Sequence, residues 1–508
     1  MSHRIRKVAV LGAGTMGAAI AAHCANAGLE VDLLDVAPDD DDDKNAVVEA
    51  GFERMQNARP AALMGENVAG RIRIGNFEEH FERVGEADWI VEAIIEKLEP
   101  KRELMQRVED TAKEDAIIST NTSGIPLHSI SEGRSEKFKE RFVGTHFFNP
   151  PRYLKLMEII PTEDTDPEIV EAVRNFGERV LGKGGVIAKD TPNFIGNRIG
   201  TFAGMQSARY AFDNGYGIEE VDAITGPLIG HPKTATFRLN DQVGLDIAVG
   251  VAENLYEAVP EDESREVLKP PEKLEEMQEK DLLGNKTGAG FYKRDKREGK
   301  TVFDVLDLES FEHHPAENPE IPVAKEAQQQ GDLASRLQFL MEKAGEDRHA
   351  RYIRDTLLPY MAYASRRVPE ISDTLEDVDH AMEWGFAHQA GPFRTWDLLG
   401  VRETVEKMES MGIEVASWVK DMLQAGNETF YKTENGTELQ FSPVSKEYEP
   451  VREDPMYVSL DRLRDAGKEL ASNDSASLLD LGDGVLCLEF HSKGNSIDAQ
   501  TVEMGNRA

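Results

Sequence analysis

The stretch THFFNPPRYLKLMEI, residues 145–159, sets His146 at the end of an apolar run and Glu158 twelve positions later. Histidine titrates near neutral pH, so an imidazole at a strand end can take the proton of a hydroxyl while a hydride leaves the same carbon. A carboxylate beside it would stabilise the imidazolium and hold one tautomer, a role open to Glu158 if two strands bring the pair together. An isolated pair of this kind more often reads as a satisfied core histidine beside a surface glutamate. The surroundings decide between the two.

Those surroundings begin with KVAVLGAGTMGAAIAAHCANAGLEVDLLDV, which reads as strand, tight turn, small-residue helix from Thr15, and a second strand. Gly12 permits the turn, Gly14 lets the backbone approach a pyrophosphate, and Gly17 lets the helix pack closely, so that a phosphate meets the helix N-terminus. Asp35 ends the second strand, 18 residues beyond Gly17. A carboxylate there accepts hydrogen bonds from a ribose 2′-hydroxyl and repels a 2′-phosphate, which favours NAD over NADP; the plain alternative is a solvated strand end. Further strands in ADWIVEAI, AIISTN, RFVGTHFF and MEIIP alternate with helical stretches such as EPKRELMQRVEDTAKED, the pattern of a Rossmann-type, doubly wound α/β domain. Ligands meet such sheets at the carboxyl ends of their strands. That rule places Glu96, Lys101, Asn121, Ser123, His146 and Asn149 near the nicotinamide end of the cofactor.

Together, GAGTMG, VEAIIE, STNTSG, THFFNPP, KLMEI and DTPNFIGNR resemble the L-3-hydroxyacyl-CoA dehydrogenase family of fatty-acid β-oxidation over roughly residues 4–448. The resemblance implies that Ser123 and Asn197 hold the substrate oxygen, that His146 is the base and Glu158 its partner, and that Glu96, Lys101 and Asn149 contact NAD. One departure is Asn193, where related motifs usually carry glycine; asparagine tolerates left-handed backbone and can substitute.

After Lys189 the pattern turns helical, and EEVDAITGPLIGHPKTATFRLNDQVGLD is echoed by EDVDHAMEWGFAHQAGPFRTWDLLGVRE. Asp222, Phe237, Asp241 and Gly244 match Asp379, Phe393, Asp397 and Gly400, with one residue less after the first aspartate of the second copy. A duplicated all-α domain accounts for this, its shared residues serving core and turn chemistry. By analogy with single-copy relatives that dimerise, the second copy would replace the partner subunit. The expected boundaries are 1–189 for the NAD-binding Rossmann domain, 190–295 for a first helical domain, 296–350 for a linker, 351–448 for the second helical copy, 449–476 for an acidic linker, and 477–508 for a short β segment. That last segment, SLLDLGDGVLCLEFHSKGNSIDAQTVEM, resembles the first strands of the enoyl-CoA hydratase (crotonase) family, with His491 at a strand end. Thirty residues cannot close such a core, so no hydratase activity is expected of them.

At 508 residues the chain is long enough for three or four folding units. Its net charge of -36 argues against nucleic acid as a partner. The charge, with its run of aspartates after Pro38, reads as adaptation to a high-salt cytoplasm; indifference of activity and folding to molar salt would overturn that reading. Cys24 and Cys487 alone suit a reducing, cytoplasmic compartment and offer no disulfide or zinc framework. The basic start and apolar run of residues 4–30 imitate a signal peptide, but three spaced glycines, His23 and Asn26 speak for the nucleotide fold. No apolar run reaches the roughly 18 to 20 residues of a membrane span. No metal site is expected, since His313 and His314 lack further ligands at a suitable spacing and read as solvated.

The expected function is NAD-dependent oxidation of an (S)-3-hydroxyacyl-CoA to the 3-ketoacyl-CoA, with a separate enoyl-CoA hydratase chain as a further partner. Two other readings stand beside it: a dehydrogenase of 3-hydroxyacids without CoA, and an inactive split-gene subunit that binds NAD and a hydratase.

Overall fold

The computed structural model describes residues 4–38, 43–297, 299–434, 437–452 and 458–508, so most of the aspartate run after Pro38 lies outside it. Residues 1–428 and 429–508 form two compact units.

The first unit is built on an eight-stranded sheet. Its strands are β1 (Lys7–Leu11), β2 (Glu30–Asp35), β3 (Ile72–Asn76), β4 (Trp89–Glu92), β5 (Ile117–Thr120), β6 (Phe142–Phe147), β7 (Leu156–Pro161) and β8 (Gly184–Ile187), in the order β3-β2-β1-β4-β5-β6-β7-β8. Strands β1 to β6 run parallel, and β7 turns antiparallel against β6. The central strands carry apolar runs because both faces are covered: Val8, Val10, Leu33, Val91 and Ile117 are all buried. Strand order reverses between β1 and β4, where the crossovers diverge and leave a crevice at their carboxyl ends.

Helices follow the sheet. Gly196–Asp213 leads into the first copy of the repeat, with helices Ile218–Ile224, Phe237–Val243 and Leu245–Ala258; the second copy has Leu375–Gly385, Pro392–Leu399 and Val401–Ser410. The aspartates that open each copy do the same job. Asp222 accepts hydrogen bonds from the amides of Phe237 and Arg238 at 2.7 and 3.0 Å, and Asp379 from those of Phe393 and Arg394 at 2.8 and 3.1 Å. Gly244 (φ +101°) and Gly400 (φ +85°) each take the turn between consecutive helices, a conformation that a side chain would strain.

The stretch 296–350, expected to be a linker, is structured. A hairpin of β9 (Tyr292–Arg297) and β10 (Lys300–Leu306), extended by β11 (His313–Pro315), is followed by helices Pro322–Gln328 and Leu333–Lys343. Its polar composition is that of an exposed antiparallel ribbon, which presents as much hydrophilic surface as a loop does. His313 and His314 accordingly pair in register with Leu306 and Val305; His313 is half-buried with a ring nitrogen 2.9 Å from the Gly290 carbonyl, whereas His314 is exposed.

In the second unit, β12 (Tyr431–Glu434), β13 (Thr437–Phe441) and β14 (Tyr448–Pro450) form one small antiparallel sheet; β15 (Glu469–Ser472), β16 (Ala476–Gly482) and β17 (Val485–Phe490) form another. The stretch expected to be an acidic linker therefore holds β15 and a helix, Leu460–Asp465. Ala476, Leu478 and Met504 make the small core of the last sheet, and a ring nitrogen of His491 lies 3.2 Å from the Ser477 hydroxyl. Among the described residues no helix is long and apolar enough to cross a membrane, and no cluster of three or more His, Cys, Asp and Glu could hold a metal ion.

Candidate active site

Antiparallel pairing puts His146 of β6 directly opposite Glu158 of β7. The imidazole Nδ1 lies 2.6 Å from Glu158 Oε2, and its Nε2 lies 3.2 Å from the Ser123 hydroxyl. Glu158 is fully buried, and its other oxygen accepts from the amides of Ile195 and Gly196 at 3.0 and 2.8 Å, at the start of the helix Gly196–Asp213. Its two oxygens thus have three donors between them, two backbone amides and the imidazole. With the carboxylate on Nδ1, the proton of the neutral ring sits on that nitrogen and Nε2 is left as the acceptor.

Asn197 occupies the second position of the same helix, half-buried. Just before it, Asn193 takes φ +61°, the left-handed conformation for which glycine is the usual residue, and Phe194 takes φ +51°. The departure from glycine is thus absorbed by backbone that asparagine tolerates.

Ser123 is set from the other side. Glu96 accepts hydrogen bonds from the Thr122 hydroxyl (2.5 Å) and from the amides of Ser123 (2.9 Å) and Gly124 (3.1 Å). Partial burial pushes the Glu96 carboxyl up, but the Lys101 ammonium at 3.2 Å and these hydrogen bonds outweigh it and leave it below the usual range. Lys101 is itself buried at 1 % exposure and also pairs with Glu92 at 2.7 Å. Its charge therefore reaches the cleft through Glu96. Asn121 accepts from the Phe147 amide at 2.9 Å and ties β6 to the end of β5, while Asn149 lies exposed in the loop after β6.

At the crevice, Gly12 has φ +109°, and a Cβ there would lie 2.5 Å from the Ala93 carbonyl oxygen; a Cβ on Gly17 would lie 1.9 Å from the Gly12 carbonyl oxygen. Gly14 begins the helix Thr15–Asn26 with no side-chain cap, and a Cβ on it would meet nothing within 4 Å. An open, uncapped helix start fits a pyrophosphate. Asp35 accepts from the Ala13 amide at 2.6 Å, so the carboxylate offered to a ribose also ties the glycine turn to the second strand.

The family model for the 3-hydroxyacyl-CoA dehydrogenase NAD binding domain matches residues 7–191, and the one for the C-terminal domain of the same enzymes matches residues 194–294. A probable 3-hydroxyacyl-CoA dehydrogenase of Deinococcus radiodurans is 48 % identical over 58 % of this chain and 84 % of its own length. The chain belongs to the 3-hydroxyacyl-CoA dehydrogenase family. A second relative of that description, from Bacillus subtilis, is 42 % identical over 99 % of this chain; the chain spans 64 % of that relative's length. The fold is that of the Escherichia coli 3-hydroxybutyryl-CoA dehydrogenase, with a TM-score of 0.61 over 83 % of this chain and 99 % of the other at 20 % identity.

Within this member of the family, sequence reasoning missed Glu92, Thr122 and Phe148. Glu92 lies inside the VEAIIE motif, where a carboxylate closing the apolar run WIV was the available signal; the structure buries it completely. Thr122 sits beside Ser123 in a small polar run where either hydroxyl could have been the structural one. Phe148 carried no signal, because one phenylalanine in an apolar run resembles any other.

Proposed function

We propose that this chain oxidises the 3-hydroxyl of an (S)-3-hydroxyacyl-CoA to the 3-keto group, with NAD as the oxidant. The observation that carries the reading is the line Ser123, His146, Glu158, in which a hydroxyl, an acceptor nitrogen and a buried carboxylate stand in hydrogen-bond succession. In this reading Ser123 and Asn197 hold the substrate oxygen, and His146 Nε2 takes its proton. Glu158 stabilises the imidazolium and is kept in place by the Ile195 and Gly196 amides. NAD, when bound at Gly12, Gly14 and Gly17 with Asp35 toward its ribose and Glu96 and Asn149 toward its reactive end, supplies the hydride acceptor. Lys101 acts by holding Glu96. The last strands stand as the beginning of a hydratase-like module, and a separate enoyl-CoA hydratase chain remains the expected partner.

The test is a direct assay. Purified chain with NAD and 3-hydroxybutyryl-CoA should produce NADH, with NADP a poor substitute. Free 3-hydroxybutyrate turned over equally well would move the substrate class to acids without CoA, and binding of NAD without turnover of either would leave a non-catalytic subunit.

A further inference from the structure

The hydrogen bond from Nδ1 to Glu158 fixes one atom of the His146 ring but leaves the tilt of its plane to packing. Two phenyl rings set that plane. Phe148 stands edge to face with the imidazole at 4.9 Å between centroids and 63°, and Phe194 lies 5.7 Å away at 58°. Phe148 is wedged in turn. A Cβ on Gly196 would come within 2.7 Å of its ring, and one on Gly385, in the second helical copy, within 3.5 Å. The next residue of that copy, Phe386, packs on Phe148 at 5.9 Å and 67°, and seats its own ring over Gly200, where a Cβ would lie 2.3 Å from it.

The two copies differ at this point. Counting from Asp222 and Asp379, Phe386 matches Ile229 and Trp384 matches Pro227, whereas His388 matches His231. The two histidines stack on each other at 3.8 Å and 10°, and the Gln389 amide donates to the Gly230 carbonyl at 2.7 Å. Ala387 (φ +55°) and its counterpart Gly230 (φ +79°) share a left-handed turn, so each copy presents the residue before it in the same way to a different neighbour. Phe386 is therefore backed by the copy-to-copy contact, with His388 6.2 Å behind it, and faces the strand end that carries His146.

We propose that Phe386 of the second helical copy is a positioning residue of the dehydrogenase site, setting the tilt of the His146 imidazole through Phe148; this rests on the function proposed above. A proton acceptor a fraction of an ångström or several degrees out of line loses rate without losing binding. The duplicated domain then does more than stand in for a dimer partner, since one copy has acquired the aromatic wall that the other lacks.

The test compares Phe386→Leu with Trp384→Leu, a control of similar size on the same segment, whose ring covers Gly184 and not Phe148. Phe386→Leu is expected to lower kcat about tenfold with KM and NADH affinity near wild type. Phe386→Tyr, which keeps the ring, should restore most of the rate, and adding Phe386→Leu to Phe148→Leu should cost nothing further. Trp384→Leu should lower the melting temperature and leave kcat unchanged. A kcat for Phe386→Leu within twofold of wild type, or a loss matched by Trp384→Leu, overturns the proposal. The imidazole resonances of His146, assigned by their disappearance in His146→Gln, give a readout independent of turnover: they should move in Phe386→Leu and stay in Trp384→Leu. An unmoved signal overturns the coupling, whereas a wild-type chain inert toward the thioester with a signal that still moves removes only the assigned reaction.

Discussion

At the carboxyl edge of the sheet, His146 and Glu158 are buried, as is Asp379 in the second helical copy, with Asp222 of the first copy half-buried, yet their partners are of different kinds. The repeat aspartates accept from backbone amides, Phe237 and Arg238 in one copy and Phe393 and Arg394 in the other, and Asp222 also accepts from the Tyr292 hydroxyl at 2.9 Å. The amide donors cannot turn away, so the carboxylates are committed to the fold. Glu158 is likewise committed, through the Ile195 and Gly196 amides and the imidazole. His146 Nε2 differs: its partner is the Ser123 hydroxyl, a rotor that can hand the nitrogen over to another hydroxyl. The replaceable partner at His146 sits on a nitrogen able to accept a proton.

That contrast can be broken by substitution. His146→Gln should lower turnover by roughly two to four orders of magnitude while NADH affinity and melting temperature stay near wild type, because base catalysis contributes about that factor and the phosphate site is separate. Comparable turnover in the variant would return this histidine to core packing. Glu158→Gln should cost a comparable factor of roughly two to four orders of magnitude in kcat with the melting temperature near wild type, since its amide oxygen can still accept from Ile195 and Gly196 while its NH2 faces Nδ1 and forces the ring proton onto Nε2. A loss of that size accompanied by a falling melting temperature would mean that Glu158 builds the site rather than tunes it.

Asp222→Ala tests the other side of the comparison. It should destabilise the chain by about 1–2 kcal/mol, the usual cost of losing a helix cap, and leave kcat per folded molecule unchanged. Thermal melting followed by active-site titration checks this, and a selective loss of turnover would show that the first copy also reaches the site.

The smallest effect is expected from pH. Burial pushes the His231 imidazole down from 6.5 to about 4, and His388 against it falls as well. Between those values the unfolded chain holds a proton that the folded chain does not, so the contribution is intact above about pH 6.5 and is lost as pH falls toward 4. Relative to His231→Phe, wild type should lose on the order of 1 kcal/mol between pH 7 and pH 5. Melting curves of the two that stay parallel across this range would show that the stack does not sense protons.

The glycine spacing of residues 12 to 17, Asp35 at its strand end, and the strand ends bearing Ser123 and His146 were legible in the sequence, because a turn, a helix start and an apolar strand run are written in consecutive residues. The duplicated copies were legible for the same reason: Asp222 and Asp379 repeat with their followers. Stretch 296–350 was misread, since an exposed ribbon such as β9 and β10 has the composition of a loop and only its pairing tells them apart. Composition likewise could not show that Lys101 is spent on Glu92 and Glu96, or that Asn193 turns left-handed. The pairing of His146 with Glu158 depended on the antiparallel register of β6 and β7. The meeting of Phe148 with Phe386 depended on how the second copy packs against the sheet. Contacts between distant residues follow from shape complementarity over whole surfaces, and no local pattern encodes them.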